Sequence, residues 1–306
     1  MNCTQLVTSN YIPTTAESLE ASGTLGIILI TVGGCVAATM LGIFLEESIY
    51  LYHHWPLKIY LYTVGCLSVF PISGLSLFLC LLVPRAGRTL TAFIKVYLPF
   101  PMIFFFQLVI CYMDNKERTV ERLLGNSIPL QGPPLCCICC WCPSPSFTRT
   151  TFILIRAAIY QFVLIPVISF IIDEIFIAVN INAEVEYPMN KLSPYLITTN
   201  ALSFFLGVYG LVIFIRMTSA ILFGYFIRSK FITLQLHFIL IRFQFFIFEI
   251  LGDIGALPCH PPISPIVSAL YVKSAVLLGE GFILCVLARF FFLHPPPQFS
   301  RQQERT

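Results

Sequence analysis

Seven stretches of the chain, residues 23–45, 59–83, 90–112, 152–172, 196–215, 231–251 and 267–292, are long and mostly apolar. Each reaches the length of about 20 residues that a helix needs to cross the hydrocarbon of a bilayer. Strands of a membrane barrel would be about half as long and would alternate polar with apolar residues, and these stretches do neither. Only 11% of the residues are charged and 57% are hydrophobic, whereas soluble domains carry roughly a quarter charged residues. The pattern predicts an all-α multi-pass membrane protein with seven transmembrane helices. The fifth stretch could run on to residue 226, with Arg216 interrupting it.

The residues between the stretches set the expected orientation, because cytosolic loops are enriched in Lys and Arg. With the N-terminus outside, the cytosolic side carries Lys58, Lys116, Arg118, Arg122, Arg149, Arg228, Lys230, Arg301 and Arg305, against Arg85, Arg88 and Lys191 outside. The expected organisation is an extracellular segment over residues 1–22, a seven-helix domain over 23–293 and a cytosolic tail over 294–306. The first twenty residues hold no Lys or Arg, so the first apolar stretch is expected to act as its own insertion signal. Asn2 opens the sequon Asn2-Cys3-Thr4 on the outer side, too close to the first residue to be a good acceptor. Cys3 and Cys259 are both outside in this topology and could form a disulfide.

The loop at 113–151 contains LCCICCWCP at 135–143, five cysteines in nine residues. Cytosolic thiols stay reduced, which disfavours a disulfide knot. CxxC spacing occurs three times, but a structural zinc site needs a second pair of ligands. Cys35, Cys66, Cys80, Cys111 and Cys285 all lie within spans instead. Juxtamembrane cysteine clusters are typical S-palmitoylation acceptors, and several acyl chains anchor a segment firmly. Cys136, Cys137, Cys139, Cys140 and Cys142 are therefore candidate palmitoyl acceptors; a metal site and an unmodified apolar loop are the alternatives. Ahead of them, residues 115–124 have the pattern of an amphipathic surface helix.

Ionisable residues inside spans are costly and are either paired or functional. Arg242 and Glu249 lie seven residues apart in the sixth span, as do Lys273 and Glu280 in the seventh. Antiparallel neighbours would set Arg242 against Glu280 and Glu249 against Lys273, with Gln235 one heptad further along. These pairs are either static ion pairs between helices or the lining of a polar track for a charged solute. Arg156, Lys95 and the pair Glu46-Glu47 are further candidates. Gly34, Ala38 and Gly42 form a small-residue stripe suited to close helix packing within the bundle, with a groove for another chain's helix as the alternative. Pro99 and Pro101 are expected to kink the third span.

No GxxxxGK[ST], HExxH or GxSxG occurs, and the five histidines form no evident metal set. No enzyme, cofactor or metal is expected. The net charge of +3 comes without a basic tract, so no nucleic acid partner is expected either.

Three segments carry a resemblance: IFLEESIYLY at 43–52, CCICCWCP at 136–143 and ILGDIGALPCHPP at 250–262. They are similar, in order and spacing, to organic solute transporter subunit alpha. The resemblance implies seven spans with the N-terminus outside, a plasma-membrane location with the endoplasmic reticulum as a second site, and a lipid-modified cysteine loop. It also implies assembly with a single-span beta-type subunit, into a homo-oligomer of heterodimers. The function it implies is facilitated diffusion of amphipathic organic anions such as bile acids and conjugated steroids. Glu46 and Glu47 match the family's acidic pair at the end of the first span. The cysteine run here is interrupted by Ile138 and Trp141, which leaves fewer acyl acceptors. Arg242, Lys273 and Arg156 are then candidate receivers of the substrate's charge. The reading from a different class is a non-transporting seven-span receptor or membrane scaffold. The third span lacks Asp-Arg-Tyr and the seventh lacks Asn-Pro-x-x-Tyr, which disfavours the main receptor class.

Overall fold

A computed structural model describes residues 12–129, 145–182, 189–259 and 261–293. Among these residues there are no strands, and seven helical segments are long and apolar enough to cross a membrane. The protein is a multi-pass α-helical membrane protein, and each segment overlaps one of the seven apolar stretches.

The first span is the helix α1 (Thr15–His54), which starts eight residues before the apolar stretch begins. A capping box holds its start: the Thr14 hydroxyl accepts from the Glu17 amide at 3.3 Å, and the Glu17 carboxylate accepts from the Thr14 amide at 2.8 Å. Gly23 interrupts the helix at φ 56°, ψ −139°, a conformation open to glycine and closed to residues with a Cβ. The second span comprises α2 (Leu57–Leu67) and α3 (Val69–Leu82), which meet at Ser68. The Ser68 hydroxyl donates to the Gly65 carbonyl at 2.7 Å and lies 2.7 Å from the Tyr97 hydroxyl. The third span comprises a 3-10 turn (Pro84–Ala86), α4 (Gly87–Tyr97) and α5 (Phe100–Tyr112). Its break falls at Leu98 and Pro99, where the proline ring removes a backbone donor.

After α5 comes the short helix α6 (Lys116–Leu123), within the stretch read as an amphipathic helix. The Asn115 side chain caps it by accepting from the Arg118 amide at 2.9 Å. Thr119 and Leu123 are its buried residues. The remaining spans lie in α7 (Arg149–Asn182), α8 (Met189–Ser219), α9 (Ile227–Asp253) and α10 (Pro265–Phe292). The fifth span ends at Ser219 and does not run on to 226.

The helices divide into two compact units, one up to Leu98 and again from Ile232 to His294, the other from Pro99 to Phe231. In the first unit, α10 packs against α3 and α1, and α3 packs against α1 and α4. The buried stripe of α1 is Gly33, Ala37, Met40, Glu47 and Leu51. The small-residue stripe expected to pack within the bundle therefore sits one residue off the face that packs within the unit. A Cβ on Gly34 would reach only the Phe78 ring at 3.3 Å, nothing lies within 4 Å of Gly42, and Ala38 is exposed. Sequence spacing gives the period of a face, but adjacent stripes on one helix differ by about 100° and only packing selects between them.

In the second unit, α7 packs on α8 and α5. A Cβ on Gly207 would come 2.4 Å from Phe162 Cβ, so the two helix backbones meet where the side chain is missing. Phe106, Phe152 and Phe214 cluster with ring centroids 4.7–6.4 Å apart. A backbone clasp also forms here: Gly125 donates to the Phe147 carbonyl at 3.1 Å, and Phe147 donates to the Asn126 carbonyl at 2.8 Å. This clasp closes the two flanks of the cysteine-rich loop on each other. Cys136, Cys137, Cys139, Cys140 and Cys142 lie outside the described residues, as do Asn2, Cys3 and the tail.

Candidate functional site: a cation-rich cavity in the first unit

The start of α10 is set by Ser264, whose hydroxyl accepts from the Val267 amide at 3.4 Å, with Pro265 at the first helical position. That entry brings α10 close to α9 and to the start of α4. A Cβ on Gly252 would lie 3.4 Å from Ala269, and one on Gly87 would lie 2.4 Å from Leu270. These same residues line a cavity of about 450 Å³. This falls within the roughly 300–1,000 Å³ of small-molecule sites.

Pro84, Gly87, Arg88 and Thr91 form one wall of the cavity, and Phe248, Glu249 and Gly252 of α9 form the second. The third wall runs along α10 from Ser264 through Ile266, Val267, Ala269 and Leu270 to Lys273, and Ile12 closes the edge. Ile12 is tethered there by its carbonyl, which accepts from Arg85 Nε at 3.3 Å. The lining is mostly apolar, with charge at Arg88, Glu249 and Lys273.

The charges are arranged differently from the pairing expected from sequence. Glu249 is bonded to Lys95, Nζ to Oε1 at 2.7 Å, rather than to Lys273. Arg242 is not paired with Glu280: its Nη2 donates to the Lys95 backbone carbonyl at 2.7 Å, and its guanidinium lies 5.5 Å from the Phe238 ring centroid. Glu280 instead accepts from Gln244 Nε2 at 2.6 Å. The expected register assumed that α9 and α10 face each other along their whole length. In the fold, α10 turns its length toward α3 and α1, and α4 takes the place beside α9 from which Lys95 reaches Glu249.

Lys273 is buried, at 6% exposure, with its ammonium 4.4 Å from the centre of the Phe245 ring. Lys95 lies 5.7 Å from the same centroid. Among the described side chains, Lys273 has no ion-pair partner. A ring face holds a cation through its quadrupole and leaves the charge unneutralised. Of the charged residues that line the cavity, Arg88 and Lys273 are cations and Glu249 is a carboxylate, itself bonded to Lys95 of α4. An excess of positive charge attracts an anion, the more strongly the lower the local dielectric.

The structure also places the other sequence candidates. Gln235 is 9% exposed, and neither amide atom has a hydrogen-bond partner among the described residues. Arg156 lies 5.4 Å from the Tyr160 ring in the second unit and does not line the cavity. Glu46 makes a two-pronged bridge to Arg289, while Glu47 is buried at 2% exposure. His237 is a packing residue, its Nε2 3.0 Å from the Ser73 hydroxyl and its ring tilted against that of Phe70 at 4.9 Å between centroids. Cys259 is disulfide-bonded, and its partner lies outside the described residues. Among the described residues, no group of three or more metal-ligating side chains could hold a metal.

Sequence reading passed over Arg88 as a binding residue and counted it only as a loop charge. Arg88, Thr91 and Lys95 nevertheless recur at the helical spacing that places them on one face. That spacing was the available signal.

Seven spans and a mostly apolar cavity carrying Arg88, Glu249 and Lys273 define a multi-pass membrane protein with a small-molecule-sized pocket. Residues 28–297 match the sequence profile of the organic solute transporter Ostalpha, and the chain belongs to that family. It is similar to organic solute transporter subunit alpha of Bos taurus, at 24% identity over 92% of this chain and 84% of the relative. The subunit alpha of Mus musculus is 27% identical over 92% of this chain and 83% of the relative. That of Danio rerio is 24% identical over 92% and 86%. No solved structure matches the chain. The resemblance carried by residues 43–52, 136–143 and 250–262 is thus borne out.

Proposed function

We propose that the chain is the transporting subunit of a carrier that moves amphipathic organic anions, such as bile acids and conjugated steroids, across the plasma membrane by facilitated diffusion. The cavity beside Lys273 is the substrate's binding site. The observation that carries this reading is the buried Lys273 ammonium, resting on Phe245 without a carboxylate partner among the described residues, in a mostly apolar cavity. A steroid-like anion offers the matching chemistry, with a flat apolar body for the lining and one charged end for Lys273 and Arg88. A gradient supplies the driving force, and the sequence encodes no phosphate-binding loop for an ATP-driven step.

The name of the relatives, subunit alpha, supports a working unit that includes a second chain, for which we propose a single-span beta-type subunit. The loop charges support an outside N-terminus. Palmitoylation of Cys136, Cys137, Cys139, Cys140 and Cys142 on the cytosolic side follows from that orientation, and the clasp at Gly125 and Phe147 would hold the acylated loop near the membrane. Cys3 is the proposed partner of Cys259.

Uptake of a labelled steroid sulfate into membrane vesicles bearing the chain, with and without the beta-type partner, tests the reading. Saturable uptake that is weakened by K273Q is the expected result. Uptake equal to that of empty vesicles in both conditions would overturn it.

A further inference from the structure

Glu249 and Lys273 both line the cavity, and opposite charges that share one cavity attract each other and tend to pair. Here it does not. The Glu249 carboxylate is bonded at 2.7 Å to Lys95, which approaches from α4. Lys95 is itself fixed through its main chain, because Arg242 Nη2 donates to its carbonyl at 2.7 Å. Arg242 reaches that carbonyl from one heptad before Glu249 on α9, so α4 and α9 are joined at two points by side chains of Lys95 and Arg242. Lys273 is left against the face of Phe245, 4.4 Å from its centre. The same ring lies 5.7 Å from Lys95.

We propose that Lys95 is a positioning residue for anion selectivity: by holding Glu249, it keeps that carboxylate from neutralising Lys273 and leaves the Lys273 ammonium available to the charged end of a substrate. The proposal rests on the cavity being the anion site and adds the device that sets its charge. Its distinctive consequence is a reversal on pairing. Removing Lys95 alone releases Glu249 toward Lys273 and discharges the site. Removing Glu249 as well restores the free ammonium, although a second charged group has been lost.

The test is the concentration dependence of labelled steroid sulfate uptake in vesicles containing the full chain and its partner. Cell-surface labelling serves as the folding control. K95Q is expected to raise KM about tenfold with Vmax little changed, the effect of placing one opposing unit charge beside the binding ammonium. K95Q with E249Q is expected to bring KM back to within about threefold of the starting value, and K95R to keep it near that value. E249Q alone is expected to lower KM, which gives a second reading should K95Q fail to reach the surface. Saturable wild-type uptake whose KM is unmoved by E249Q, or a double variant no better than K95Q, would overturn the positioning role alone. An absence of saturable uptake by the wild-type chain would remove the anion-carrier reading, and this role with it.

Discussion

The two guanidinium nitrogens of Arg289 donate to the two carboxylate oxygens of Glu46, at 2.9 and 2.8 Å, and so tie the end of α10 to the end of α1. Two parallel charge-assisted bonds fix direction as well as distance, which a single-point pair does not. Exchanging the two residues, E46R with R289E, should recover the surface expression and melting temperature that either single change lowers. A swapped protein no better than the single variants would show that the bridge contributes little to the bundle.

Lys95 with Glu249 should behave as a coupled pair, and Arg242 with Glu280 should not. Double-mutant cycles on thermal stability of the purified protein measure this directly. The Lys95 and Glu249 substitutions are expected to deviate from additivity by at least about 0.5 kcal/mol, and those at Arg242 and Glu280 to add within about 0.5 kcal/mol. Strong coupling between Arg242 and Glu280 would restore the pairing expected from sequence and contradict the observed register.

Gly207 and Gly210 lie one turn apart on α8 and should respond differently to the same change. A methyl at Gly207 meets Phe162 Cβ at 2.4 Å and the Ala158 carbonyl at 3.2 Å, atoms that cannot move without their helix. A methyl at Gly210 meets Ala158 Cβ at an ordinary 3.4 Å. G207A should therefore destabilise the α7–α8 pair by about 1–3 kcal/mol, the cost of overpacking. G210A should be close to neutral, because helix propensity favours alanine. Detergent-solubilised melting curves of the two variants make the comparison.

The cysteines divide into two chemical groups. Hydroxylamine-sensitive acyl exchange should shift the mass of the wild-type chain, and replacing Cys136, Cys137, Cys139, Cys140 and Cys142 with serine should abolish the shift. Replacing Cys111, which lies in the third span outside that run, should leave it intact. Peptide mapping without reductant should recover Cys259 joined to Cys3, and C3S should make Cys259 available to alkylation.

The apolar stretches alone determined the seven spans. In a bilayer every backbone amide must be bonded within its own segment, so length and hydropathy leave the helix as the only form. Local chemistry also fixed details inside them: Pro99 had to end α4, since its ring carries no donor, and Asn115 could cap α6 with its own side chain. The heptad spacing of Arg242 with Glu249 and of Lys273 with Glu280 marked the charged positions of the sixth and seventh spans, but not which charges meet. That depended on tertiary structure: α10 packs along α3 and α1, and α4 brings Lys95 to Glu249. The one-residue error in the face of α1, at Gly33 rather than Gly34, has the same origin. A sequence period specifies that a helix has faces, whereas the neighbour that fills a face, and hence the partner of each buried charge, is decided by packing across segments far apart in the chain.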